Sequence, residues 1–214
     1  MTTFPVEWRP SPNYRRARRP NIRRPIKGVV LHYTATEDWD LALALLTGQA
    51  GGRKVSAHYL VGRDPGEIAQ LVHLKDVAWH AKGANALSVG IEMVNVGGGK
   101  EVRGRTCQRY GRRWVPISMQ GTPHKEQWGP YDLWEPFTRW QYDAVAQIMA
   151  AIRVREGSPI AAWRHSELDP ERKLDPGPAF DMKLARDRFN YWRVIMEGRR
   201  PEDLDPLTSI EFYK

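Results

Sequence analysis

Two short apolar segments, residues 28–34 and 88–95, each carry one ionisable side chain in an otherwise hydrophobic run: His32 in the first and Glu92 in the second. Successive side chains of a strand point to opposite faces. As strands, the first segment places Val29, Leu31 and Tyr33 on one face and Val30, His32 and Thr34 on the other. The second places Val89, Ile91 and Met93 together, with Gly90 and Glu92 opposite. A carboxylate inside an apolar strand is costly without a partner. A fold that uses these strands as its centre must therefore give Glu92 a partner or a task.

The rest of the chain alternates helix and strand patterns. Residues 38–46 read as a short helix ended by Gly48. Residues 55–62 and 68–73 are strand-like, and the turn chemistry of Arg63-Asp64-Pro65-Gly66 between them makes a hairpin. Trp140, Ala144, Ile148 and Ile152 recur at helical spacing over 138–155. Residues 158–163 form a short strand that leads into His165. Asp181 can N-cap a last helix in which Met182, Ala185, Phe189 and Trp192 follow the same period. Residues 97–136 show no clear period and read as a long loop insertion bordering whatever lies beside Glu92. Residues 1–26, rich in Pro and Arg, read as a basic extended arm packed on the domain, and 197–214 as a Pro-rich acidic tail. Mixed strands and helices in 214 residues indicate one α/β domain.

Charge is unevenly placed within a formal net of +8. Residues 1–27 hold eight Arg or Lys against one Glu, and residues 100–113 hold six against one. Such patches attract anionic polymers through a salt-screened field, or simply solubilise a surface. No base-reading motif accompanies them, so a specific nucleic-acid partner is not expected. The single cysteine, Cys107, excludes an intramolecular disulfide and a cysteine-rich zinc finger. The first residues lack the apolar core of a signal peptide, and no run of about 18 apolar residues suggests a membrane span. The expectation is a chain made in the cytoplasm without a signal peptide, reaching a cell wall only through a pore or dedicated export.

His32 has two potential companions far along the chain. His165 and Asp175 close the segment Arg164-His165-Ser166-Glu167-Leu168-Asp169-Pro170-Glu171-Arg172-Lys173-Leu174-Asp175-Pro176-Gly177. Two imidazoles and a carboxylate are the ligand set of a catalytic zinc with one open position. Lys173 lies two residues before Asp175, on the same side if the stretch is extended. Taken singly, each residue also has a plainer reading: a hydrogen-bonded structural histidine, a solvated lysine, a turn aspartate before Pro-Gly.

Five stretches in order carry a resemblance. They are Val30-Leu31-His32-Tyr33-Thr34-Ala35-Thr36, Val55-Ser56-Ala57-His58-Tyr59-Leu60-Val61, Ala78-Trp79-His80-Ala81, Ser88-Val89-Gly90-Ile91-Glu92 and Arg172-Lys173-Leu174-Asp175-Pro176-Gly177-Pro178. Together they resemble the zinc-dependent N-acetylmuramoyl-L-alanine amidases of the amidase-2 family, from Ser11 to about Trp192. The resemblance implies a central mixed β-sheet flanked by helices, with the metal in a surface groove. It implies one Zn2+ per chain on His32, His165 and Asp175, with Glu92 and Lys173 as the catalytic pair. Ala57 stands where some members have a second catalytic tyrosine, which leaves that role to Glu92. The implied substrate is peptidoglycan or a muropeptide, cut between N-acetylmuramic acid and L-alanine.

Trp79 and His80 are expected to line the groove and Asn85 to contact sugar or peptide. His58 is expected to be a buried structural residue rather than a ligand. In the loop, Trp114, Trp128 and Trp134 are candidates to stack on sugars and the arginines to meet stem-peptide carboxylates; a surface insertion without substrate contact is the alternative. The basic arm and loop favour an endolysin-like, bacteriolytic wall hydrolase. A cytoplasmic enzyme recycling anhydro-muropeptides and a non-catalytic wall-binding module are the competing readings. Nothing in the sequence addresses the oligomeric state.

Overall fold

The computed structural model describes residues 3–198 except 18–23, 53, 111 and 120. Its centre is a six-stranded mixed sheet in the order β1 (Glu7–Trp8), β5 (Ile68–Gln70), β4 (Tyr59–Val61), β7 (Ser88–Met93), β3 (Gly28–Tyr33), β13 (Ala161–Arg164). Strands β4, β7, β3 and β13 run parallel, and β5 turns back antiparallel to β4 as the expected hairpin. A two-stranded sheet of β2 (Tyr14–Arg15) and β6 (Val77–Ala78) lies apart from it.

The two faces of the central sheet are covered by different elements. Val29, Leu31, Val89, Ile91 and Met93 pack against α2 (Arg139–Glu156) and α4 (Met182–Met196). Leu60, Ala69 and Val94 pack against α1 (Trp39–Leu46). Strand alternation therefore turns His32 and Glu92 away from the large core, as the sequence pattern requires. The helix starts are held by side-chain caps: Asp38 on α1, a Thr138–Gln141 capping box on α2, and Asp181 on α4.

One expectation changes and another is refined. Residues 97–136 are not a loop: they form a five-stranded antiparallel sheet in the order β10 (Arg113–Pro116), β9 (Arg105–Tyr110), β8 (Gly98–Val102), β12 (Tyr131–Trp134), β11 (Thr122–Trp128). Much of it is exposed, so the apolar alternation that betrays a half-buried strand is missing. The arm read as packed on the domain is, in its described part, also built into the domain. Glu7 and Trp8 add an edge strand to the central sheet, Phe4 packs among Trp140 and Trp192, and Arg24 is 8% exposed. The acidic tail beyond Gly198 lies outside the described residues.

Candidate functional site

Three neighbouring parallel strands aim at one place. In register, His32 of β3 pairs with Glu92 of β7, and Leu31 pairs with Arg164 of β13. His165 follows Arg164 directly, at the start of a one-turn helix, α3 (His165–Leu168). All three side chains thus emerge at the carboxyl ends of parallel strands, where open α/β sheets form their crevices. Asp175 reaches the same point from the loop after α3, and its backbone carbonyl accepts from Ser166 N–H at 3.0 Å.

The ligand-type atoms converge. Asp175 Oδ2 lies 2.8 Å from His32 Nδ1 and 2.9 Å from His165 Nδ1. The three residues are buried, and their donor atoms all fall within 4.8 Å of one another. Burial alone would raise the pKa of Asp175, but its contacts with His165 and His32 outweigh that and hold it below the usual carboxylate range. Burial lowers the pKa of His32, against the pull of Asp175. The ring is therefore neutral near pH 7, the state in which imidazole ligates a metal. Two ring nitrogens meeting one carboxylate oxygen is an arrangement that a cation between them would satisfy.

Glu92 and Lys173 face the same groove, a cavity of about 570 Å³ that also takes in Trp79, His80 and Tyr131. Among the described residues, Glu92 Oε2 is buried without a hydrogen-bond partner. Burial, and then the charge of Asp175, raise the Glu92 pKa well above its ordinary value, while Lys173 works to lower it. One side of the cavity is aliphatic, formed by Leu45, Leu46 and Val55.

The remaining sequence candidates divide. Trp79 and His80 line the groove, as expected. Asn85 does not: its Oδ1 accepts from the backbone N–H groups of His80 and Ala81, at 3.0 and 2.6 Å, so it holds the loop instead. His58 is fully buried, with Nδ1 accepting from Gly90 N–H at 3.0 Å, and burial followed by the charge of Arg24 pushes its pKa down to about 3. Trp134 is 1% exposed and packs against Tyr131 and Tyr33, which removes it as a sugar platform. Tyr131, from the second sheet, reaches the groove in its place.

One contact of His80 and the place of Arg24 escaped the sequence reading. His80 Nδ1 lies 3.1 Å from His32 Nε2, on the side of the ring opposite Asp175. Arg24, counted with the basic arm, donates inward to the carbonyls of Leu74, Asn85, Ala86 and Ser88 at 3.0–3.3 Å. It clamps the loop that carries Trp79 and His80. No local pattern distinguishes the buried Arg24 from the exposed Arg15 and Arg16 of the same arm.

An α/β domain whose parallel strands bring two imidazoles and a carboxylate into one groove belongs to the class of folds with a candidate metal centre beside a carboxylate and an amine. Comparison with known proteins gives the class a family. The N-acetylmuramoyl-L-alanine amidase model matches residues 22–178, and the chain belongs to that family. It is 31% identical over 197 residues to the N-acetylmuramoyl-L-alanine amidase AmiD of Escherichia coli (strain K12), over 82% of this chain and 60% of that protein. It is 32% identical over 130 residues to the 1,6-anhydro-N-acetylmuramyl-L-alanine amidase AmpD of Enterobacter cloacae, over 59% of this chain and 53% of that one. The chain thus spans somewhat more than half the length of these relatives. The structure of Escherichia coli AmiD with anhydro-N-acetylmuramic acid-L-Ala-D-gamma-Glu-L-Lys superimposes with a TM-score of 0.52 at 28% identity, covering 86% of this chain and 61% of that one.

Proposed function

We propose that this chain hydrolyses the amide between N-acetylmuramic acid and the L-alanine of a stem peptide, with one zinc ion held by His32, His165 and Asp175. The observation that carries the reading is the convergence of those three donors within 4.8 Å on the floor of a groove lined by Glu92 and Lys173. A two-histidine, one-carboxylate set suits zinc and leaves a position open. The ion would supply Lewis acidity and make water nucleophilic near neutral pH.

The protein's own groups do the rest. Glu92 takes the proton of the attacking water and passes it to the departing amide nitrogen. Burial, which raises its pKa, and the nearby ammonium, which lowers it, suit this carboxylate to take up and release a proton. Lys173 sets a fixed cation beside the oxygen on which negative charge develops, and the partly enclosed groove strengthens that attraction. Trp79 and Tyr131 are the aromatic surfaces that the groove offers to sugar or peptide. The aliphatic side at Leu45, Leu46 and Val55 shields the site from water.

Two substrates fit this chemistry. The basic patches favour a polymeric wall and an endolysin-like, bacteriolytic role. The AmpD relatives, and the anhydro-muropeptide bound to AmiD, favour a soluble muropeptide. The test is release of L-alanine amino termini from purified sacculi and from soluble anhydro-muropeptides, each with zinc-loaded protein. Release from neither, by a folded zinc-loaded protein, removes the proposal. The ratio of the two rates decides between the substrates.

A further inference from the structure

We propose that His80 is a positioning residue that fixes the tautomer of His32, at the end of a one-way hydrogen-bond chain starting at Ser88. The proposal rests on the metal-site reading above. The direction is set at the far end of the chain and holds for the metal-loaded site, since without a cation His32 Nδ1 would itself donate to Asp175 Oδ2. The carbonyl of Ala84 can only accept, and Ser88 Oγ lies 2.8 Å from it, so the hydroxyl proton points there. Ser88 Oγ meets His80 Nε2 at 3.4 Å with only its lone pairs left, which places a proton on His80 Nε2. A neutral imidazole protonated at Nε2 has a bare Nδ1. That bare Nδ1 lies 3.1 Å from His32 Nε2 and accepts its proton. With a cation between them, His32 then presents its Nδ1 lone pair at the point where Asp175 Oδ2 and His165 Nδ1 converge.

The surroundings of His80 suit this task. Its ring lies against the backbone of Gly90, where a Cβ would come within 2.4 Å of the ring, so only glycine leaves room for it on β7. Its backbone N–H is held by Asn85 Oδ1, and the carbonyls of the same loop are fixed by Arg24. Metal-binding histidines commonly donate their second ring N–H to a carboxylate, carbonyl or water, which sets both tautomer and ring angle. Here the acceptor is another imidazole, itself oriented by a hydroxyl.

The experiment uses zinc-loaded full-length protein labelled with 15N-histidine. Two-bond 1H–15N spectra are expected to show His32 protonated at Nε2 and zinc-shifted at Nδ1, with His80 protonated at Nε2. Zinc affinity, read by competition with a chromophoric chelator, is expected to fall about 10- to 100-fold in His80→Ala. It should recover most of that loss in His80→Asn, whose Oδ1 can accept in place of Nδ1. Zinc on Nε2 of His32, wild-type affinity in His80→Ala, or an Asn variant no better than Ala would each overturn the role of His80 while the metal site stands. A wild-type protein that binds no zinc would overturn the metal-site reading itself.

Discussion

Gly177 lies flat against the indole of Trp134. A Cβ built on Gly177 would come within 2.4 Å of that ring, and the residue sits at φ 79°, where side chains are strained. This contact joins the second sheet to the loop that carries Lys173 and Asp175. A matching contact lies in the turn between β11 and β12, where a Cβ on Gly129 would meet Leu174 at 2.8 Å. The second sheet, read from sequence as a loop insertion, thus braces the candidate metal site as well as bordering it.

Gly177→Ala is expected to cost the left-handed strain of about 1–2 kcal/mol plus overpacking of about 1–3 kcal/mol. Gly104→Ala supplies the comparison, because Gly104 has φ 73° with open space around its Cβ position. Urea denaturation of both variants separates strain from clash. Equal losses would show that Trp134 does not press on Gly177. A weaker zinc affinity in Gly177→Ala alone is also expected, since Asp175 stands two residues away.

Removing a ligand should remove the metal. Asp175→Ala leaves two buried imidazoles without their shared carboxylate, and zinc content after dialysis is expected to drop to background. Hydrolysis should fall to background as well, because metal activation of water is lost. Chelation of the wild type should reproduce the loss, and added Zn2+ should reverse it. Full activity after exhaustive chelation would exclude a metal mechanism.

Glu92→Gln tests proton transfer without changing shape. The variant should keep its zinc and lose about 100- to 10,000-fold in turnover, the usual size of a general acid–base contribution. It also carries a stability signature in the metal-free protein. Burial raises the Glu92 pKa in the folded state, so between the unfolded and folded values the native state binds more protons than the unfolded one. Stability from this group therefore falls as pH rises through the unfolded carboxylate value toward the folded one. Glu92→Gln should flatten that fall and be more stable than wild type at neutral pH. Denaturation midpoints across the acid-to-neutral range check it.

Arg24→Met is expected to destabilise the fold by about 2–4 kcal/mol, since several buried carbonyls lose their donors. Burial, aided by Arg155, brings the Arg24 pKa down to about 10, still charged at neutral pH. Arg16→Met, on the exposed part of the same arm, should change stability by less than about 0.5 kcal/mol. Thermal unfolding of the pair reads the difference. Similar small effects would mean that the arm's arginines are interchangeable.

Much of the centre was legible in the sequence. Alternation in β3 and β7 set the faces of His32 and Glu92, because strand geometry leaves only two sides. Helical spacing located α2 and α4, with Asp181 read as the cap of α4, and the stop at Gly48 ended α1. The second sheet was not legible, since its strands lie largely exposed and Gly-rich and show no apolar period. Asn85 misled because a polar residue near a motif looks the same whether it holds substrate or its own backbone. Arg24 misled because charge counting takes no account of burial.

The sequence by itself determined which residues could bear the chemistry, the family they belong to, and the side of the sheet on which two of them lie. Local periodicity carries that information without reference to the rest of the chain. Tertiary structure decided what brought them together. Parallel pairing of β13 with β3 placed His165 beside His32 although 133 positions separate them. The contact of Gly177 with Trp134 braces the Asp175 loop, and the Ser88–His80 chain faces His32 from behind. These are long-range contacts in which each partner's own neighbours in sequence carry no mark of the other, so only the folded chain reveals them.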